Sequence, residues 1–99
     1  MLNIKKTAQD GAVVFALEGR LDTITAPALE EALKEAIPGI TKLTFDFEKL
    51  DYVSSVGLRV LLLAQKAMNE QGEMKVCKVN RDIMEIFELT GFTDVLTIE

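Results

Sequence analysis

The chain has 99 residues, of which 48% are hydrophobic and 27% charged, a size and balance that suit one modest globular domain and exclude a disordered chain. Its net charge of −5 opposes binding to a phosphate backbone, so no direct nucleic-acid role is expected. A single cysteine excludes an internal disulfide, and the lack of any histidine removes Ser-His-Asp and Cys-His catalysis and most zinc sites.

The N-terminus "MLNIKKTAQDG" lacks the apolar block of a signal peptide. No apolar run approaches the roughly 20 residues that span a bilayer. The expectation is a soluble, cytoplasmic protein without membrane insertion, spanning 1–99 as one domain.

In chain order, Leu2 to Thr7 reads as a strand ended by the Asp10-Gly11 turn signal. Ala12 to Leu17, "AVVFAL", is a continuous apolar run, as expected of a strand buried on both faces. The two form a predicted hairpin. Gly19 to Thr25 reads as a loop, with Thr25 as the N-cap of a helix that carries Pro27 in its first turn. Along that helix Leu29, Ala32, Leu33 and Ile37 share one face, and Pro38-Gly39 ends it.

Lys42 to Phe47 alternates, with Leu43, Phe45 and Phe47 pointing one way. A second helix is expected from Val56 to Glu70, ended by Gly72, and a strand from Glu73 to Val79 with Cys77 as a buried core thiol. Asn80 caps a short helix through Leu89, with Gly91 at its C-terminus. Asp94 to Ile98 reads as a last strand.

This order predicts an α/β fold: a mostly parallel sheet of four to five strands, an N-terminal antiparallel hairpin, and three or four helices. In such folds sites form at the carboxyl ends of strands.

The stretch "DYVSSVGLRVLLL", Asp51 to Leu63, lies at one such end. Ser54 and Ser55 open the second helix, where unpaired backbone N–H groups carry partial positive charge. A serine here is a plain N-cap, or it carries a phosphate with favourable electrostatics, or one serine does each. The second helix is apolar around most of its circumference, so it is either sandwiched within the domain or keeps apolar surface for a partner. Asp22 reads as a turn residue ahead of the helix. No base is paired with a nucleophile in any recognisable pattern, and no enzyme, cofactor or metal is expected.

Three blocks, in order, carry a resemblance. "ALEGRLDTITAPALEEAL", "KLTFDFEKLDYVSSVGLRVLL" and "GEMKVCKVNRDIMEIFELTGFTDVLTI" resemble the STAS domain of bacterial anti-sigma-factor antagonists over nearly the whole chain. The resemblance implies a STAS-type fold and a switch protein. The unphosphorylated antagonist binds an anti-sigma factor that is itself a serine kinase, which frees a sigma factor. Phosphorylation ends the complex, and a metal-dependent, PPM-type serine phosphatase resets it.

Aligned on Gly57-Leu58, the family's phosphoacceptor falls on Ser55, with Ser54 as the alternative acceptor. Ser54 stands where the family usually has aspartate, and Val56 where it usually has serine or threonine. Asp22 matches the family's loop aspartate. The partner-binding set implied is Asp22, Thr23, Ser54, Ser55, Val56, Gly57, Leu58 and Arg59, on a protein that is monomeric when free. The altered motif leaves a second reading open: a STAS interaction subunit of a transport or signalling complex that binds without phosphorylation.

Overall fold

A computed structural model describes residues 1–99. Strands β1 (Leu2–Gln9), β2 (Ala12–Leu21), β3 (Lys42–Val53) and β4 (Glu73–Cys77) form one sheet in the order β1-β2-β3-β4. Helices α1 (Ala26–Ala36), α2 (Ser55–Asn69) and α3 (Arg81–Thr90) alternate with them, and a short 3-10 turn covers Phe92–Asp94. The β1–β2 pair is antiparallel, and β2–β3 and β3–β4 are parallel. The hairpin turn places Asp10 at φ 51° and Gly11 at φ 81°. Two successive left-handed residues match the twist of the flanking strands, which is what Asp-Gly supplies.

Because each parallel strand is added on the same side of the last, right-handed crossovers carry α1 and α2 to one face of the sheet. Phe87 of α3 meets Phe47 at 6.4 Å between ring centroids, so α3 packs on that face too. The core is one cluster there: Phe15, Phe45, Phe47 and Phe87, with Leu17, Leu43, Leu61, Met68 and Met74 among the fully buried side chains. The opposite face is open.

This corrects the expectation for "AVVFAL". Val13, Phe15 and Leu17 are buried, but Val14 is 37% exposed and Ala16 only half-buried, so β2 is covered on one face alone. Cys77 is likewise not a core thiol. Met74 and Val76 point inward, and Cys77 is half-buried beside Asp46, its register neighbour on β3. Desolvation first, and the Asp46 charge second, push its thiol pKa up.

Other boundaries also move. The second strand runs on to Leu21 and the third to Val53, which shortens the predicted Gly19–Thr25 loop to a turn. The alternation of β3 breaks after Phe47 because the pairing with β2 shifts twice, between Ala16/Glu18 and Gly19/Arg20. Each shift adds a residue to β3, so the next inward side chains are Leu50 and Val53, three residues apart instead of two. The strand expected over Asp94 to Ile98 is not formed. Val95 and Leu96 follow the 3-10 turn, and only Ile98 bridges to Val76, in parallel, with Val76 N–H donating to Thr97 O.

Helix α2 packs on the sheet and alongside α1, and part of its apolar surface stays exposed. Leu58, Val60, Leu61, Ala64 and Met68 are buried, while Leu63 stays 49% exposed and Val56 37%. No helix is long and apolar enough to cross a membrane.

Candidate functional site at the carboxyl ends of β2 and β3

Leu21 and Val53, the last residues of β2 and β3, are parallel register partners. The turn into α1 and the N-terminus of α2 therefore leave the sheet side by side. Two contacts hold them together. Ser54 N–H donates to Leu21 O at 2.8 Å. Gly57 packs so closely that a Cβ there would lie 2.7 Å from Leu21 Cγ and 3.0 Å from Leu21 O. Glycine at this position is thus a packing requirement for bringing α2 onto the end of β2.

The two serines have different tasks. Ser54 is extended at φ −88°, ψ 175°, and its Oγ accepts from Gly57 N–H at 3.2 Å while its carbonyl accepts from Leu58 N–H at 2.9 Å. It is the N-cap of α2. Ser55 is the first residue of the helix proper and is exposed, with its hydroxyl engaging no protein partner. No acidic side chain occupies the first turn of α2.

Asp22, rather than Thr25, caps the approach to α1. Its Oδ1 accepts from Ile24 N–H and Thr25 N–H, both at 3.0 Å, and its carbonyl accepts from Ala26 N–H at 2.8 Å. Thr25 makes no N-cap bond of its own into α1. Its Oγ1 instead accepts from Asp22 N–H at 2.9 Å and donates to Arg20 O at 2.7 Å. Asp22 and Thr25 thus bond reciprocally, as in a capping box. Hydrogen bonds from Thr25, followed by Ile24 and the Arg20 guanidinium, hold the Asp22 carboxyl below its ordinary pKa against an opposing desolvation.

Of the eight predicted partner-binding residues, Thr23, Ser55, Val56 and Arg59 are exposed and Asp22 and Ser54 half-buried. Gly57 and Leu58 face inward, where they set the position of α2. Three further side chains join this surface. Arg20 lies 4.4 Å from the centre of the Tyr52 ring, and its Nε is 3.7 Å from Asp22 Oδ2. Ile24, 87% exposed, projects from the turn that Asp22 caps. Ile24 was legible as an apolar residue inside the loop "DTITAP"; the Arg20–Tyr52 contact depends on the bulged register and was not.

Residues 3–99 match the family model described as the STAS domain. BtrV of Bordetella bronchiseptica, named as an anti-sigma factor antagonist, is 34% identical over 90% of this chain and 78% of its own. The anti-sigma-B factor antagonist of Staphylococcus aureus strain NCTC 8325 is 32% identical over 98% of this chain and 92% of its own. Among solved structures, the Bacillus anti-sigma factor antagonist SpoIIAA superposes with a TM-score of 0.85 in its unphosphorylated form (18% identity, 98% of this chain and 88% of that one). In its phosphorylated form the TM-score is 0.76 at the same identity, covering 100% of this chain and 91% of that one. With the family model covering nearly its full length, the chain belongs to the STAS domain family, and its relatives by sequence carry the name of anti-sigma factor antagonists.

Proposed function

We propose that this protein is a cytoplasmic anti-sigma factor antagonist switched by phosphorylation at Ser55. In the unphosphorylated state the surface of Ile24, Tyr52, Val56 and the first turn of α2 binds an anti-sigma factor of the serine-kinase class, and a sigma factor is freed. The kinase transfers the γ-phosphoryl group of ATP to Ser55 Oγ, which gives up its proton, and ADP leaves. The complex then separates, and a PPM-type serine phosphatase restores the free hydroxyl by hydrolysis. The protein's own role is binding rather than catalysis.

The carrying observation is the division of labour between the serines: Ser54 is occupied as the cap, and Ser55 is exposed with a free hydroxyl. The same geometry accounts for serine where the family usually has aspartate, because both residue types cap a helix well. A phosphate at Ser55 would add about −1.5 to −2 charges, at the helix end that favours negative charge. The domain can therefore carry it without refolding, and its effect falls on the partner, whose apolar and polar groups would meet a hydrated dianion.

The test is phosphate transfer from ATP by the cognate anti-sigma factor kinase, with the modified peptide located by mass spectrometry. Ser54→Ala should lose about 0.5–2 kcal/mol of stability with the cap yet still accept phosphate. Ser55→Ala should accept none; transfer to it at the parental rate would overturn the assignment.

A further inference from the structure

Arg59 lies one helical turn beyond Ser55, at the i,i+4 spacing that places two side chains on one face of a helix. Both residues are exposed. Arg20 and Asp22, from β2 and its following turn, are engaged with each other, and Arg20 also lies over Tyr52. Asp51 is exposed near the end of β3. Arg59 takes part in none of the chain's ion pairs, and it is the only charged residue in the first two turns of α2.

We propose that Arg59 is the positioning residue for the modified state: its guanidinium clamps the phosphate carried by Ser55 as an i,i+4 pair along α2. This rests on the reading of Ser55 as the acceptor and adds the chain's own means of holding the phosphate. The order is the favourable one, with the anion N-terminal to the cation. A guanidinium fork matches phosphate oxygens in a bidentate way that an ammonium cannot. The clamp has a second effect. Arg59 belongs to the surface offered to the partner, so one modification both adds a dianion there and withdraws a free guanidinium from it.

Phosphoserine installed at position 55 during translation removes any dependence on a kinase, so the measurement judges the clamp alone while the kinase assay judges the acceptor. The second ionisation of the phosphate is followed by phosphorus NMR in the parent, in Arg59→Gln and in Arg59→Lys. The second ionisation constant should be about three-fold larger in the parent than in Arg59→Gln, with Arg59→Lys in between. The Arg59 Nε–H resonance should move when the phosphate is present. Equal ionisation constants in the parent and Arg59→Gln, or an Nε–H signal indifferent to the phosphate, would overturn the clamp.

Discussion

Asp22 shows how one side chain can serve a fold and a surface together. Its carboxylate fixes the turn by accepting two backbone N–H groups, and that fixed turn is what presents Ile24. The same bonds lower its pKa from the ordinary 3.8. A carboxylate with a lowered folded pKa stabilises the fold fully above the unfolded value, and the contribution is lost as pH falls through the folded value. Asparagine caps nearly as well as aspartate but does not titrate. The stability difference between the parent and Asp22→Asn should thus stay constant above about pH 5 and shrink steadily below about pH 4. Paired denaturant titrations across that range measure it, and a difference that does not change with pH would show that the carboxylate is not held in its charged form. That a serine caps α2 was readable from sequence, but which of Ser54 and Ser55 does so was not, and the bond from Gly57 N–H assigns the cap to Ser54. Thr25 stands at the N-cap position of α1, where its sequence places it, but its side chain turns back to Asp22 instead of capping the helix, and that reciprocal bonding was not readable.

At the scale of elements, the site exists because two strand ends and two helix starts are held in contact, and Gly57 is the point of closest approach. In Gly57→Ala the new methyl meets Leu21 Cγ and the Leu21 carbonyl, and the latter is backbone that cannot rotate away. The start of α2 must then lift from the end of β2, stretching the Ser54 N–H bond to Leu21 O. A loss of about 1–3 kcal/mol is expected, together with weaker partner binding from displacement of the Ser55 turn relative to Asp22. Thermal denaturation and titration with the partner measure the two effects, and full stability in Gly57→Ala would contradict the packing argument. Elements with a regular period were legible: α2 and the first half of β3 appear close to where their patterns place them. The second half of β3 was not, because its bulges change the inward spacing from two residues to three at Leu50 and Val53. The last predicted strand failed for a different cause. "DVLTI" has strand-like composition, but Asp94 closes the 3-10 turn and Val95 and Leu96 continue as turn and bend, leaving one bridge at Ile98.

Over the whole molecule, the aromatic core and the candidate site occupy different places. The chain of rings from Phe15 through Phe45 and Phe47 to Phe87 runs across the covered face of the sheet. Ser55 stands at the sheet's carboxyl edge, outside that cluster. A charge added at the edge of a packed core has no buried neighbour to displace, and here it meets the favourable end of a helix dipole, an effect of typically 0.3–1 kcal/mol. Phosphate on Ser55 should therefore leave the fold and its stability nearly unchanged while abolishing capture of the anti-sigma factor. In amide NMR spectra the shifts between the two forms should be confined to the Asp22–Thr25 turn and the first two turns of α2. Amides of Phe45, Met74 and Phe87 should not move, and the melting temperature should change by only a few degrees. Shifts spreading through the core positions would mean that the switch works by rearranging the domain. Shifts confined to the edge, with binding lost, would mean that it works by altering the surface the partner meets.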